Sequence, residues 1–223
     1  MESEKQLRKK DKMKYHKIHS LFKRDHQTNK FTHEWSRPEF EWLRNNQWRF
    51  DEKVDGTNVR VMFSKDEDGF SLEFRGRTDN AQMPPKLLDH LHGRFNTEKL
   101  KEIFYDNADK VNITLFGEGY GAKIQKGGGD YRPDQGFILF DININGCWLR
   151  RDSVEDIADK LGIPVTPIIG YGDILDAINL CKEGFPSKLR DSEPEGIILR
   201  PLHEICDRRR DRIISKLKLK DFR

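Results

Sequence analysis

Phe50-Asp-Glu-Lys-Val-Asp-Gly-Thr-Asn-Val-Arg-Val-Met-Phe63 is the stretch on which the reading of this 223-residue chain turns. It places Lys53 at the end of a short strand-like run, with a tight turn directly after it. Val59, Val61 and Phe63 then alternate with other residues, the period-two pattern of a second strand. A lysine attacks phosphorus only as the neutral amine, so an ordinary pKa of ~10.4 has to be lowered by burial or cationic neighbours. Gly56 lets the backbone turn sharply and come close to a ligand. Alone, a K-x-D-G quartet is a common coincidence, and a solvated lysine before a turn explains it. The rest of the chain decides.

Composition bounds the answer. The length suits one domain with a proper core. Charged residues make up 35% of the chain, and no segment approaches the ~20 apolar residues that span a bilayer. Residues 1–14 lack the apolar stretch of a secretory signal. Cys147, Cys181 and Cys206 are far apart and odd in number, which argues against a disulfide framework or a zinc site and for a reducing, cytoplasmic setting. The net charge of +3 hides an asymmetry: residues 1–30 hold ten Lys/Arg against four Asp/Glu, residues 203–223 hold eight against four, and the span between carries about −7. Basic ends around an acidic middle suit termini that meet a polyanion and a centre that holds metal and catalytic carboxylates.

Local signals predict many short strands and a few helices. Ser36-Arg-Pro-Glu39 predicts a capping box opening a helix to about Arg44. Strands are predicted at 48–54, 57–64 and 70–77, the last two joined through Asp68-Gly69. Pro84-Pro85 begins a helix to about Leu91, and Thr97 caps another to about Tyr105. Strands resume at 112–118 and 137–144, where Asn145-Gly146 turns the chain back into Cys147-Trp-Leu-Arg150. Asp152-Ser153 caps a helix that stops at Gly162, and a further helix runs over 173–184. Strands at 195–200 and 212–219 close the chain. Hairpins outnumber β-α-β units, so the class is α+β with mostly antiparallel sheets. Period two puts Lys216, Lys218 and Lys220 on one face of the last strand and Leu217 and Leu219 on the other. Three like charges in a row need a polyanion or carboxylates opposite them; the bland alternative is an edge strand guarded by lysines.

Six stretches carry a family resemblance, in order. Glu52-Lys-Val-Asp-Gly-Thr-Asn58 resembles motif I of the covalent nucleotidyltransferases, the superfamily of ATP-dependent DNA ligases, RNA ligases and mRNA capping enzymes. Its Thr57-Asn58 extension resembles the phage-type RNA ligase 2 family in particular. Phe74-Arg-Gly-Arg-Thr78 is similar to motif Ia. Leu115-Phe-Gly-Glu118, continuing through Gly121-Ala-Lys-Ile-Gln-Lys126, is similar to motif III with the loop typical of RNA ligases. Phe137-Ile-Leu-Phe-Asp141 resembles motif IIIa, Glu195-Gly-Ile-Ile-Leu-Arg-Pro201 motif IV, and Lys216-Leu-Lys-Leu-Lys-Asp-Phe222 motif V. The resemblance implies a ligase adenylylation fold over residues 36–223, with mostly antiparallel sheets forming a nucleotide cleft and helices flanking them. Residues 1–35 would be a basic segment packing on or extending from that domain, with no C-terminal OB or helical domain.

The resemblance also implies the chemistry. Lys53 would form a lysyl-AMP intermediate from ATP, pass AMP to a 5′-phosphate of RNA and release it when a 3′-hydroxyl attacks. Lys216 and Lys218 would act on the triphosphate, with Lys220 as the register-shifted alternative. Glu52, Asn58, Arg77, Glu118 and Phe140 would complete the nucleotide contacts. Glu118 would hold the ribose, with glycines on both sides leaving room for a ligand, and Phe140 would stack on the adenine unless it is a core residue of an apolar strand. Asp141, on the opposite face, cannot share that job. Glu195 would be the Mg²⁺ or Mn²⁺ carboxylate, and Asn58 and Arg77 would grip the 5′-phosphate. A monomer in the cytoplasm, without membrane contact, is expected. The prototype of the RNA ligase 2 family has histidine at the position of Asp55, where DNA ligases and capping enzymes have aspartate. A DNA ligase or a capping guanylyltransferase is therefore the alternative, and a non-catalytic nucleotide- or RNA-binding relative the remote one. His16/His19 and His90/His92 read as surface residues, Gly127-Gly-Gly129 as a mobile loop, and Arg208-Arg-Arg210 as a nucleic-acid contact or a solvated loop.

Overall fold

The structure, a computed structural model, describes residues 13–104 and 111–223. Residues 1–12 of the basic segment and Tyr105, the expected end of a helix, lie outside the described residues. In chain order the first elements are β1 (His19–Ser20), β2 (Phe22–Arg24), β3 (Phe31–Trp35), α1 (Pro38–Trp42), β4 (Trp48–Lys53), β5 (Thr57–Asp66), β6 (Gly69–Gly76), α2 (Pro85–Arg94) and α3 (Thr97–Phe104). They are followed by β7 (Val111–Gly121), β8 (Gln135–Ile144), β9 (Cys147–Trp148), α4 (Arg151–Leu161), β10 (Ile168–Gly172), α5 (Ile174–Glu183), β11 (Gly196–Pro201) and β12 (Ser215–Lys218). The class is mixed α and β with largely antiparallel sheets.

The described chain divides into two compact units. The unit that contains Lys53 comprises Lys17–Gly56, Tyr120–Asp134 and Thr166–Arg223. Its five-stranded sheet has the order β1-β12-β11-β4-β10, with β1 parallel to β12 and the other pairs antiparallel. Strand alternation sorts its residues cleanly. Trp48, Phe50, Ile197, Leu199 and Leu217 fall on one face and form a core with Ile174, Ala177 and Cys181 of α5. Burying such a side chain contributes about 1.5–3 kcal/mol, so this face anchors the sheet. The opposite face carries Arg49, Asp51 and Lys53 on β4, Ile198 and Arg200 on β11, and Lys216 and Lys218 on β12, as the register requires.

The other unit comprises the described residues up to His16, Thr57–Gly119 and Gln135–Val165. Its sheet has the order β6-β5-β7-β8-β9. Val59, Val61 and Phe63 of β5 and Ile113 and Leu115 of β7 are buried on one face, and Phe95 packs edge-on against Phe137 at 5.6 Å between ring centroids. The β8–β9 hairpin turns on Asn145 (φ 52°) and Gly146 (φ 90°), two successive positive φ values of the kind Asn-Gly supplies in a two-residue turn.

Several expectations are corrected. Ser36 does not cap α1: its hydroxyl donates to the Ser20 carbonyl at 2.5 Å, and the N-cap is Arg37 without a side-chain bond. Asn96, not Thr97, caps α3, accepting the Lys99 amide at 2.9 Å. The N-cap of α4 is Arg150 rather than Asp152 or Ser153. Gly128–Asp130 form a single 3₁₀ turn. The last strand is shorter than expected: it ends at Lys218, and Leu219–Phe222 curl into a 3₁₀ turn. Arg24 holds Asp221 there at 2.6 Å, so Lys220 leaves the row of Lys216 and Lys218 and is exposed. Strands β1, β2, β3 and β10 were not expected.

Candidate active site

Three strand ends meet in one row. Lys53 is the last residue of β4, Gly196 the first of β11 and Lys218 the last of β12, and Gly196 is in register with both lysines. Glu195, one residue earlier, therefore falls between two ammonium groups. Lys53 Nζ donates to Glu195 Oε2 at 2.5 Å and Lys218 Nζ lies 2.5 Å from Oε1. Burial is the largest influence on the Glu195 carboxyl and opposes its ionisation, but Lys53 and Lys218 together outweigh it and hold the group below the usual carboxylate range. Gly196 permits this approach. A Cβ there would stand 2.0 Å from the Leu217 carbonyl oxygen and 2.7 Å from Lys218 Cα, at a φ of 158°. Lys216 lies two residues before Lys218 on the same face and is half-buried.

The turn after Lys53 is clasped within this unit. The Asp55 amide donates to Tyr131 Oη at 3.1 Å, and Gln125 Nε2 donates to the Gly56 carbonyl at 3.0 Å. The Arg190 guanidinium covers the Tyr131 ring at 4.5 Å, and burial is the main reason the Tyr131 phenol is pushed up. Glu52 lies on the other face of β4 from Lys53 and is 1% exposed. Its carboxylate accepts the Ser187 hydroxyl and the Lys188 amide, the latter at 2.8 Å. Glu52 thus pins the 184–195 loop, which leads into Glu195. Sequence reasoning missed Tyr131 and Ser187. Neither carries a local signal, since each is defined only by a partner at least 76 residues away.

In the other unit, Asn58 and Glu118 are cross-strand partners on β5 and β7. Arg77, exposed, follows Gly76, which pairs with Val59 next to Asn58. Asn58 Oδ1 is buried without a hydrogen-bond partner, an orphan acceptor of the kind native cores avoid. The expected room around Glu118 is already filled. A Cβ on Gly117 would fall 2.3 Å from the Phe137 ring, and one on Gly119 would fall 2.4 Å from Leu87. Both glycines face the core rather than the side of Glu118, so they serve packing and not a ligand. Phe140 is half-buried. Tyr15 lies edge-on to it at 5.2 Å and donates its hydroxyl to Asp141, a contact that sequence reasoning also missed.

Among the described residues no group of three His, Cys, Asp or Glu side chains could hold a metal ion. Nor is any helix there long and apolar enough to cross a membrane.

Comparison with known proteins agrees on fold and family. Search of the curated proteins finds no match. Among solved structures, a mutant of the Naegleria gruberi RNA ligase with ATP and Mn matches with a TM-score of 0.60 and 17% identity, over 83% of this chain and 54% of that chain. A second mutant with ATP and Mn gives 0.62 and 16%, over 92% and 56%. The same ligase with pyrophosphate gives 0.58 and 17%, over 81% and 52%. This chain thus spans about half the length of those it matches, and at these identities the likeness is one of fold. The sequence model for RNA ligase matches residues 46–218, from just before β4 to the last residue of β12. By that match the chain belongs to the RNA ligase family.

Proposed function

We propose that this chain is an ATP-dependent RNA ligase with a nucleotidyltransferase domain over residues 36–223, working through a lysyl-AMP intermediate in the manner of the RNA ligase 2 family. The observation that carries the proposal is the Lys53–Glu195–Lys218 cluster, an amine at a strand end paired with a carboxylate that a second cation also holds. In the first step the lone pair of the neutral Lys53 amine attacks the α-phosphorus of ATP, the bond to the bridging oxygen breaks, pyrophosphate departs and Nζ passes its extra proton to solvent. In the second a 5′-phosphate oxygen of RNA attacks the same phosphorus and the P–N bond breaks, returning the amine. In the third a 3′-hydroxyl attacks the activated 5′-phosphate and AMP leaves. Lys216 and Lys218 offset charge that builds on the phosphates.

Asn58, Arg77, Glu118 and Phe140 are assigned to nucleotide or 5′-phosphate contact by family resemblance alone, whereas the Glu52 side chain, expected there too, is buried on the core face with its carboxylate held by Ser187 and Lys188. The neighbours solved with ATP and Mn or AMP and Mn support use of ATP and a divalent metal. The donor set fits such an ion. A single carboxylate without a dedicated cage suits Mg²⁺ or Mn²⁺ that arrives on the nucleotide phosphates and keeps most of its waters. Glu195 would hold it, and the ion would neutralise phosphate charge. When Lys53 turns toward phosphorus, Glu195 Oε2 loses its partner and becomes available.

The test is incubation with radiolabelled ATP or GTP, then with 5′-phosphorylated RNA and DNA strands. Acid-labile label at Lys53 from ATP, transferred and joined on RNA, is expected. Labelling by GTP alone, joining of DNA only, or label that persists in Lys53→Ala would overturn the proposal.

A further inference from the structure

The face of the sheet that carries Lys53 continues well beyond it. Arg49 and Asp51 share that face by alternation, and Arg200 is in register with Arg49. Arg49 donates to both oxygens of Asp51 at 2.8 and 2.9 Å, and Arg200 Nε donates to Oδ2 at 3.1 Å. These three side chains sum to one positive charge. On the other side of β4, Tyr171 of β10 pairs with Arg49. Its neighbours show which way it points. A Cβ on Gly170 would meet the Phe50 ring at 3.8 Å and one on Gly172 would meet the Asp176 carboxylate at 2.5 Å. Both lie on the core side, so Tyr171 is turned to the side of Lys53.

Tyr171 is 55% exposed. Of the large exposed apolar side chains among the described residues, Trp42, Tyr171, Leu175 and Leu202, it is the one borne on a strand of this sheet. A tyrosine more than half exposed, between two glycines that weaken the strand, is poorly explained by stability. The four residues from Lys53 to Arg49 rise about 3.3 Å each, so its row lies about 13 Å from the nucleophile. A nucleic acid strand with its end at Lys53 covers that distance within its first few nucleotides.

We propose that Tyr171, with Arg49 beside it, is a stacking platform for a base of the RNA strand, a few nucleotides from the end that reacts at Lys53. The inference rests on the RNA ligase reading above and names a residue that would position its substrate. An exposed phenol ring offers a π-face to any base, and the adjacent guanidinium favours the phosphate that accompanies it.

The test compares Tyr171→Ala, Tyr171→Phe and Tyr171→Trp with the unaltered protein by two measurements. One is the affinity for a fluorescent, 5′-phosphorylated single-stranded RNA oligomer at fixed salt. The other is labelling of Lys53 by radiolabelled ATP without RNA. Tyr171→Ala should bind RNA about 10-fold more weakly with Lys53 labelling unchanged, and the two aromatic variants should bind as the unaltered protein does. Unchanged RNA affinity in Tyr171→Ala, equal weakening in Tyr171→Phe, or a parallel fall in Lys53 labelling would each overturn the platform. Absence of Lys53 labelling in the unaltered protein would instead overturn the ligase reading itself.

Discussion

Lys53 and Glu195 stand 142 residues apart in the chain, yet their side chains meet at 2.5 Å because the strand that ends at one lies beside the strand that begins after the other. The lysine is thereby held at the strand end, aimed at whatever that end of the sheet faces. If the pair is the heart of adenylyl transfer, Lys53→Ala should abolish covalent labelling by ATP while leaving circular dichroism and the melting curve close to those of the unaltered protein. Label in that variant would place the nucleophile elsewhere.

Glu195→Gln and Lys218→Ala should each slow self-adenylylation by about 10²–10³, the usual loss when one electrostatic partner of a charged transition state is removed. Single-turnover labelling measures this directly. Lys220→Ala should be near normal, because Lys220 lies past the end of β12 and is exposed. A large loss in Lys220→Ala with none in Lys216→Ala would shift the motif V pair to Lys218 and Lys220.

Ser187→Ala removes one of two donors from the buried Glu52 carboxylate. A buried acceptor left short of a partner costs about 1–3 kcal/mol, so the melting temperature should fall by roughly 3–10 °C for a chain of this size. Because the loop it pins runs into Glu195, labelling should also slow. An unchanged melting temperature would show that Glu52 finds another partner.

Gly196→Ala should damage fold and labelling together. Its Cβ would collide with backbone atoms of Leu217 and Lys218, which have no flexible side chain to move aside. Gly93→Ala, in α2 with nothing near its added Cβ, should instead raise stability by about 0.5–1 kcal/mol. Thermal melts of the two variants should therefore move in opposite directions.

His19 and Glu195 both contribute to the acid side of the stability curve. The His19 imidazole is pushed below its ordinary value of 6.5 by burial first, then by Arg37, Lys17 and Lys216. As pH falls from about 6.5 the unfolded chain takes up a proton that the folded chain resists, so stability should decline from there. Glu195, held below 4.5 by Lys53 and Lys218 against burial, keeps its stabilising charge above that value and loses it as pH falls through its lower folded value. His19→Gln should flatten the dependence of melting temperature on pH just below 6.5 but not below 4.5. Flattening in neither window would disprove the linkage.

The chain by itself determined most of the elements whose signals are local. Alternating or apolar runs marked β4 to β8, Asn145-Gly146 marked the hairpin into β9, and a helix was legible over 173–184, where the structure adds that Asp173 and Asp176 form a capping box. These signals need only a few neighbouring residues, so no tertiary knowledge is required to read them. The order of the six motifs likewise identified the family without any coordinates. The tertiary structure alone decided what those residues touch. β1, β2 and β3 are only two, three and five residues long, and β10 reads Ile-Ile-Gly-Tyr-Gly. Such segments become strands because a neighbouring strand satisfies their backbone, and no side-chain pattern announces it. Ser36 lost its capping duty for a related reason, since its hydroxyl is taken by the Ser20 carbonyl of a distant segment. The glycines beside Glu118 could be read as space for a ligand until Phe137 and Leu87 were found in that space. Above all, a carboxylate 142 residues from a lysine cannot announce its partner. Charge and spacing along a chain set which groups are present, and strand pairing over long separations sets which of them share an ion pair.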